Sequence, residues 1–593
     1  MNINNQFDSR PTSLKALRTD EKMTKKIVNR IRQLVANDEM KMRAEQFVNM
    51  YKDDYPGLDK LRRCKMVYND VKIKTGTFFD GPMSMIEKLC PQEFKDVVVA
   101  ICDTLNTVSD GSMNSIIPYI DEIDRIIKSN TDLTSESGIL YRVFFTGLKT
   151  LTGPRPWTEK QVLKEIENWV CISRENEMFS SREMSNKFIK HMDQIVSSMY
   201  PIESGIRSKI SLEEYSNDVC RWGTSGGTHV NEEIKISKMA KLKKRPWVGE
   251  MEMLNKSNRL SIRTKNYVGL VNYIMRGDNT NLLKGDRYNY TVALKEEVKT
   301  RPVITAPLPS YIEQSWLLYT THKPKIKSTI VGDSDIIRMK TKMRGYYIAI
   351  DGKRFDTQIT SKMIRSFYEL WSKYLSAEKA LVVKKQIDDL NNIKIKFNKT
   401  TYYWKKGLLS GWRITSILGS IISEIICRVI KEELNDITMD WVVQGDDILI
   451  HSEVCHSSDK ILEIIKRIGY EIDEADVRAS NCGEFLKKLI TPYGVFGYPL
   501  RNLKSVYFAN PWVENKRYSS INEVTSTWLQ LTSRLMPFNI NREQVRKMMI
   551  GDIVRWAAGR LSKSDVVKLL TSPASVGGLG ADNNVSEPFQ TYR

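Results

Sequence analysis

Apolar side chains recur at three- and four-residue intervals along several parts of the chain, which is the period of an amphipathic helix. Met363, Phe367 and Leu370 follow this spacing and predict a helix over about residues 361–375. The same pattern predicts further helices over residues 377–390, 414–434 and 461–468. Residues 22–300 also have a mostly helical pattern with a few short strands.

Shorter β-prone runs lie between these helices. They predict strands over residues 346–350, 400–404, 441–444 and 448–451. Helices and strands alternate irregularly, which favours an α+β fold over a regular parallel sheet. A chain of 593 residues is long enough for roughly four domain-sized units.

Charge adds a functional constraint to this picture. Lysine and arginine total 91 against 71 acidic residues, a formal net charge of +20. So large a surplus favours a polyanionic partner such as nucleic acid. The longest nearly uncharged apolar run, residues 414–423, is about half of the ~20 residues that a bilayer-spanning helix needs, so we expect no membrane span. The eight cysteines form no CxxC pair, which favours a reducing compartment.

The most informative local pattern is WVVQGDDILIHS at residues 441–452. Two apolar β-prone runs flank Gly445, Asp446 and Asp447, and glycine and aspartate are hairpin-turn residues. The segment therefore predicts a tight hairpin with two adjacent carboxylates at its tip. Taken alone, an ordinary acidic turn explains the tripeptide equally well.

A second acidic pattern lies upstream in YYIAIDGKRFD, where an apolar strand ends at Asp351 and Asp356 follows. An acid at a strand end and acids on a neighbouring hairpin tip can converge. Such carboxylates hold two divalent ions roughly 3.5–4 Å apart, which can activate a hydroxyl for in-line phosphoryl displacement. Because the ligands are all oxygen atoms, we expect Mg²⁺ or Mn²⁺.

Two further segments carry candidate ligand contacts. Ser410 and Gly411 predict a flexible turn before the long helix, where backbone amides could approach a phosphate or sugar, although a plain helix cap is an alternative. Lys295, Lys299 and Arg301 have a spacing that suits a triphosphate, although a solvated basic face is an alternative.

The order of these four elements resembles the palm signature of viral RNA-dependent RNA polymerases. Asp351 and Asp356 match motif A, and Gly445, Asp446 and Asp447 match motif C. The remaining matches are to motif B (Ser410, Gly411, Thr415), motif F (Lys295, Lys299, Arg301), motif E (residues 483–488, with Lys487 and Lys488) and motif G (residues 223–227, with Thr224, Ser225 and Gly226). The form of motif B and the segment SPASVGGLG, residues 572–580, are most similar to picobirnaviruses and partitiviruses, which are small double-stranded RNA viruses.

The resemblance implies a role for each acid. Asp351 and Asp446 would bind both metal ions, and Asp447 would support them more weakly. Asp356 would accept a hydrogen bond from the ribose of the incoming ribonucleotide. The implied reaction is template-directed attack of a 3′-hydroxyl on an α-phosphate.

The sequence departs from the family pattern at two places. Motif B usually has an asparagine four residues after its threonine, where this chain has Gly419; Ser416 or Ser420 could substitute, or Asp356 could act with Thr415. Motif D usually supplies a lysine as general acid, but residues 471–485 contain none, and Arg478 is a poor proton donor.

The family fold implies a closed right hand. The expected division is an N-terminal extension bridging fingers and thumb over residues 1–75, fingers over 76–345 and 375–403, palm over 346–374 and 404–500, and thumb with a C-terminal tail over 501–593. Residues 581–593, with Phe589 and Tyr592, are a candidate plug of the product cavity or an aid to initiation.

The partners implied are single- and double-stranded RNA, ribonucleoside triphosphates and a viral capsid protein, in the virion interior and the host cytoplasm. Two other functions are alternatives to the polymerase hypothesis. A non-catalytic RNA-binding core protein would explain the positive charge but not the ordered acids. A reverse transcriptase normally has a bulky aromatic residue at the place of Asp356.

Overall fold

The structure is a computed structural model of the chain. It describes residues 20–51, 75, 77, 79–152, 157–173, 176–222, 227–235, 259–296, 300–329, 345–472, 477, 479–507, 521–556, 560–573, 576 and 578. Several predicted sites lie outside the described residues, namely Thr224, Ser225, Gly226, Lys299, Arg478 and the tail 581–593.

Helices dominate the described part of the chain. They are α1 (Glu21–Gln33), α2 (Asp38–Tyr51), α3 (Asp80–Leu89), α4 (Lys95–Val108), α5 (Met113–Asn130), α6 (Glu136–Phe145), α7 (Glu159–Val170), α8 (Arg182–Val196), α9 (Ile206–Lys209), α10 (Leu212–Asn217), α11 (Lys265–Arg276), α12 (Leu308–Thr320), α13 (Phe355–Gln358), α14 (Ser361–Ser372), α15 (Ala377–Asp389), α16 (Thr415–Leu434), α17 (Ser458–Ile468), α18 (Pro499–Tyr507), α19 (Ile521–Leu535), α20 (Arg542–Trp556) and α21 (Lys563–Thr571). None of these helices is long and apolar enough to cross a membrane.

The strands form small sheets, mostly antiparallel. They are β1 (Gly227–Lys235), β2 (Arg259–Thr264), β3 (Asn289–Glu296), β4 (Thr300–Thr305), β5 (Tyr346–Ile350), β6 (Lys394–Phe397), β7 (Thr400–Tyr403), β8 (Asp440–Gln444), β9 (Asp447–Ser452), β10 (Gly483–Phe485), β11 (Lys488–Thr491) and β12 (Gly494–Gly497). The sheet orders are β1-β2, β4-β3-β6-β7, β5-β9-β8 and β10-β11-β12, and only the β3–β6 pair is parallel among the strand pairs described.

The predicted α+β class is confirmed by these elements. The strand predicted over 346–350 is β5, and the two runs around the acidic turn are β8 and β9. The helices predicted near 361, 377, 414 and 461 are α14 to α17, each within a few residues of its predicted bounds. The amphipathic period identified these elements because each packs one apolar face into a core.

Contacts divide the chain into two compact units. Unit 1 comprises residues 1–158, 296–301 and 480–593, and unit 2 comprises residues 159–295 and 302–479. The fingers, palm and thumb boundaries expected from the family resemblance remain predictions. Unit 1 has one apolar core to which both ends of the chain contribute: the ring of Phe538 lies 6.1 Å from that of Phe94 and 5.3 Å from that of Phe144.

Unit 2 contains a buried charge network that joins three elements. Arg287, just before β3, donates two hydrogen bonds to Glu313 of α12 at 2.8 and 2.6 Å. It also donates to Asp389 at the end of α15, at 2.9 and 2.5 Å. The side chains of Arg287, Glu313 and Asp389 are only 10%, 2% and 9% exposed. The single guanidinium therefore compensates two buried carboxylates.

We predict that Arg287→Ala lowers the free energy of unfolding by about 3–5 kcal/mol, because it leaves two buried carboxylates without their main partner. The matched control is Lys385→Ala, which removes another cation from Glu313; its side chain is 48% exposed, so the expected loss is below about 1 kcal/mol. Urea denaturation of both variants measures the difference. Equal losses would show that the buried guanidinium has no special role.

Candidate active site

The acidic hairpin tip forms as the sequence predicts. Gln444 of β8 pairs with Asp447 of β9, which leaves Gly445 and Asp446 as a two-residue turn. Gly445 has a φ of +61°, a backbone conformation that glycine adopts without the steric cost of a side chain. Asp446 is exposed at the tip and Asp447 is partly buried at the start of β9.

Strand pairing brings the third acid to the same place. β5 pairs antiparallel with β9, and the last pair is Ile350 with Ile448. Asp351 follows Ile350 directly and Asp447 precedes Ile448 directly. Because Cα atoms of antiparallel partners lie about 4.5–5.5 Å apart, Asp351 adjoins Asp447 at this end of the sheet. Motifs A and C therefore meet at the same end of the β5-β9-β8 sheet.

The turn after Asp351 is held by a second segment, residues 470–472. Gly352 forms an antiparallel bridge with Ile472, and the Lys353 amide donates to the Glu471 carbonyl at 3.0 Å. Gln358 adds two hydrogen bonds to the same segment: its side-chain amide donates to the Glu471 carbonyl at 2.8 Å, and its side-chain carbonyl accepts from the Glu471 amide at 2.9 Å. The backbone that follows Asp351 is thus held by a segment outside its own strand.

Tyr470 lies directly beneath this turn. A Cβ atom at Gly352 would stand 2.2 Å from the Tyr470 hydroxyl oxygen, so glycine is required for the phenol to fit. The hydroxyl is buried and has no hydrogen-bond partner among the described residues. Burial, and then the carboxylates of Asp446 and Asp351, raise the pKa of Tyr470 well above its usual value, with a smaller contribution from Asp447. All three carboxylates are thus close enough to affect the pKa of the Tyr470 phenol.

These carboxylates form the candidate metal site. Among the described residues, no group of three or more His, Cys, Asp or Glu side chains is already gathered to hold an ion. The donor chemistry nevertheless fits a hard divalent cation, because Asp351, Asp446 and Asp447 offer only oxygen atoms.

Helix α16 supports the hairpin turn from behind. The Ser420 hydroxyl accepts a hydrogen bond from the Gly445 amide at 2.8 Å, and the Ser423 hydroxyl donates to the Gly445 carbonyl at 2.5 Å. Ser420 also donates to the Ser416 carbonyl at 2.8 Å. Since Ser420 is buried and engaged on both sides, it serves the turn and is not free to sense a ribose; Ser416 is exposed.

Gly419 stands where motif B usually has an asparagine. A Cβ atom there would lie 3.4 Å from the Phe355 ring and 3.5 Å from the Gly445 Cα atom. Both are ordinary van der Waals distances, so α16 packs against the acidic turn at this position without a clash that excludes a side chain.

Motif B packs against the strand that follows motif F. The Ser410 hydroxyl accepts from the Ile304 amide at 2.9 Å. A Cβ atom at Gly411 would stand 2.2 Å from the Ile304 carbonyl oxygen and 2.6 Å from the Ala306 nitrogen. The backbone at Ile304 thus occupies the space beside the Gly411 Cα atom, while the expected approach of a phosphate or sugar to the amides of this turn remains a prediction.

Two further predicted nucleotide contacts lie near this loop in unit 2. Thr415 begins α16, and its hydroxyl donates to the Leu409 carbonyl at 2.5 Å. Asp356 lies in the short helix α13 and is partly buried, and its carbonyl accepts from the Leu408 amide at 2.8 Å. Motif A and the motif B loop are therefore joined by main-chain contacts.

The predicted basic contacts are all exposed where they are described. Lys295 lies near the end of β3 and Arg301 lies on β4. Lys487 and Lys488 belong to unit 1, at the β10–β11 hairpin. Leu486 and Lys487 form its turn with φ of +49° and +60°, although neither is glycine. The structure thus places motif E on a tight, unusual turn.

Sequence reasoning missed three supporting residues. Gln358, Ser423 and Tyr470 contact the acidic turns without belonging to any motif used for the prediction. Ser423 follows Ser420 by three residues on a helix, which was an available signal. No local pattern marked Gln358 or Tyr470, because their partners are distant in sequence.

We predict that Gly352→Ala lowers both stability and any activity that depends on Asp351, because the new methyl group collides with the Tyr470 hydroxyl. The double variant Gly352→Ala/Tyr470→Phe removes the closest clashing atom and should recover part of the loss. Thermal unfolding and nucleotide addition, measured on both, test this. No recovery in the double variant would place the damage elsewhere.

The comparisons with known proteins agree with this geometry. Residues 274–508 match a family described as viral RNA-directed RNA-polymerase. The chain is also 27% identical over 248 residues to the probable RNA-directed RNA polymerase of Giardia lamblia virus (isolate Wang). That match covers 38% of this chain and only 13% of the relative's length.

Two solved structures are similar in fold. One is the RNA-dependent RNA polymerase of a human picobirnavirus, with a TM-score of 0.44, 12% identity, and coverage of 75% of this chain and 82% of that one. The other is its insertion-loop deletion mutant, with a TM-score of 0.46, 12% identity, and coverage of 75% and 84%.

The matched segment contains the described residues of motifs A, B, C, E and F, and it excludes only the candidate motif G at 223–227. The pattern of acids and the family match thus coincide on the same residues. Residues 274–508, which make up less than half of this chain, are thus similar to viral RNA-directed RNA polymerases.

Proposed function

We propose that the chain is an RNA-dependent RNA polymerase that joins ribonucleotides on an RNA template. The observation that carries this proposal is the convergence of Asp351 with Asp446 and Asp447 at one end of the β5-β9-β8 sheet. This end of the sheet lies within residues 274–508, the segment that matches viral RNA-directed RNA polymerases.

The acids supply the catalytic charge. Asp351 and Asp446 would hold two Mg²⁺ or Mn²⁺ ions, and Asp447 would support them. Bound there, the ions would make the primer 3′-hydroxyl more acidic and stabilise the charge that develops on the α-phosphate. The chain itself positions the acids. The pairing of β5 with β9 and the hydrogen bond of Gln358 to Glu471 hold the turn at Asp351, and the hydrogen bonds of Ser420 and Ser423 to Gly445 hold the turn at Asp446.

The nucleotide would be bound by exposed cations and a ribose contact. Lys295, Lys299 and Arg301 would neutralise the triphosphate. Asp356 would accept a hydrogen bond from the ribose 2′-hydroxyl, with Ser416 as its partner, since Ser420 is engaged by Gly445. An ordinary tyrosine, with a pKa of about 10, is already protonated at neutral pH, and burial raises the pKa of Tyr470 further, so its hydroxyl acts only as a neutral group.

The wider biological setting is also part of the proposal. The substrates would be ribonucleoside triphosphates, with single- and double-stranded RNA as template and product. A capsid protein would recruit the enzyme, which would work in the virion interior and the host cytoplasm. Support comes from the similarity of motif B and residues 572–580 to small double-stranded RNA viruses, together with the net charge of +20.

Two alternatives are disfavoured by specific residues. A non-catalytic RNA-binding core protein would need positive charge but no paired acids on the β5 and β9 ends. A reverse transcriptase would place a bulky aromatic residue where this chain has Asp356.

We predict that Asp446→Ala abolishes nucleotide addition on a primed RNA template while RNA affinity stays nearly unchanged. The carboxylate is needed for the metal ions, whereas RNA affinity arises from many lysine and arginine contacts. The control is Asp388→Ala, which removes an exposed acid from α15. Near-normal incorporation by folded Asp446→Ala would contradict the assignment of the catalytic centre.

We predict that Asp356→Ala reduces the preference for ribo- over deoxyribonucleotides by about 10- to 150-fold, because hydrogen bonds to a charged group contribute about 1.5–3 kcal/mol. Ser416→Ala should reduce it less, by about 2- to 12-fold, as a neutral hydrogen bond does.

Competition between the two nucleotide types, measured as kcat/KM ratios, tests this prediction. Ser420→Ala is the control: it should slow addition of both nucleotides equally, since its hydroxyl supports the Gly445 turn. A change of ribose selectivity in Ser420→Ala, with none in Asp356→Ala or Ser416→Ala, would move the ribose contact from Asp356 and Ser416 to Ser420.

A further inference from the structure

A basic cavity of about 320 Å³ lies in unit 2, and none of its lining residues belongs to motifs A to G. It is lined by Ser198, Tyr200, Ile202, Arg207, Thr321, His322, Lys323 and Lys325. The volume is at the lower end of the ~300–1,000 Å³ typical of ligand sites.

Two chain segments build the cavity, and hydrogen bonds hold them together. The His322 amide donates to the Tyr200 carbonyl at 2.9 Å, and the Ile202 amide donates to the Thr320 carbonyl at 3.0 Å. The Lys325 amide donates to the Ser198 hydroxyl at 2.9 Å. These bonds fix the walls before any ligand arrives.

Arg207 is also held in place. Its Nε donates to the Tyr319 carbonyl at 2.7 Å, and its guanidinium lies 5.0 Å from the centre of the Tyr319 ring. These partners orient the guanidinium without neutralising it, because neither carries a negative charge.

The lining combines positive charge with an exposed aromatic face. Arg207, Lys323 and Lys325 contribute three cations, and no acid is among the described residues that line the cavity; Glu203 follows Ile202 but is not in this lining. Tyr200 is 41% exposed, and the His322 ring lies 4.5 Å from its ring. An exposed aromatic ring beside several cations matches the two chemical features of a nucleotide unit, its base and its phosphate.

The cavity is separated along the chain from the acidic turn. Ser328 pairs in parallel with Val443 of β8, and Thr329 donates to Gln444 next to the turn. The segment therefore approaches the turn as residue numbers rise, and residues 321–325 precede this contact. The residues that line the cavity include none of Asp351, Asp446 and Asp447.

We propose that this cavity binds single-stranded RNA, with one base stacked on Tyr200 and neighbouring phosphates contacted by Arg207, Lys323 and Lys325. It would be an RNA-binding site additional to the catalytic one. A free ribonucleoside triphosphate has the same two features, a base and phosphates, and the displacement arm of the test below separates it from RNA.

The test uses the full chain and a fluorescent eight-nucleotide oligouridine containing 4-thiouridine. An unlabelled primed hairpin RNA is added first in excess to occupy the catalytic site. Affinity is measured by anisotropy over a range of salt concentrations, and crosslinked peptides are mapped by mass spectrometry. Neither readout needs nucleotide addition, so the result is independent of the Asp446→Ala experiment.

Two variants remove the two kinds of contact. Lys323→Gln/Lys325→Gln should reduce the slope of log K against log salt by about 1.4, at about 0.7 per phosphate contact for single strands. Tyr200→Leu should weaken binding about five-fold or more without changing the slope. The matched control, Lys362→Gln/Lys384→Gln, removes the same charge from exposed positions on α14 and α15 and should change neither quantity.

Crosslinks within residues 198–207 or 320–325, with a slope change confined to the cavity variant, would support the proposal. Crosslinks only elsewhere would overturn it. An equal slope change in both double variants would also overturn it, because it would show a general charge effect. Full displacement of the octamer by equimolar ribonucleoside triphosphate would overturn it in favour of a mononucleotide site.

Discussion

The antiparallel register between β5 and β9 is the constraint on which the candidate active site depends. With Ile350 opposite Ile448, the strand ends bring Asp351 beside Asp447 and the adjoining Asp446. A shift by one residue would turn every side chain of β5 to the other face of the sheet. Ile348 and Ile350 are buried on one face of β5, so such a shift would move both from their packed positions.

Around this register, close backbone contacts replace long side chains. Gly352 admits the Tyr470 phenol, and Gly411 admits the backbone at Ile304. Both glycines are explained by what touches them and not by their own conformation, since neither has a positive φ. These two glycines thus serve packing between segments of unit 2, whereas Gly445 serves the conformation of its turn.

The sequence was informative where the determining interactions are local. Apolar periodicity identified α14 to α17, β-prone runs identified the three strands of the β5-β9-β8 sheet, and the Gly445–Asp446 turn followed from turn chemistry. The roles of Tyr470 and Ser420 could not be predicted, because their partners lie more than twenty residues away and reach them only through tertiary packing. The close approach of the Ile304 backbone to Gly411 could not be predicted for the same reason: sequence shows that a position is small but not what fills the space beside it.

The contact between Gly411 and Ile304 has a consequence for motion. The Ser410 hydroxyl is bonded to the Ile304 amide, and a methyl group at residue 411 would collide with the Ile304 carbonyl oxygen. A displacement of the motif B loop toward β4 would therefore meet this backbone, and a displacement away from β4 would break the Ser410 hydrogen bond. Movement of the loop is thus coupled to the end of β4.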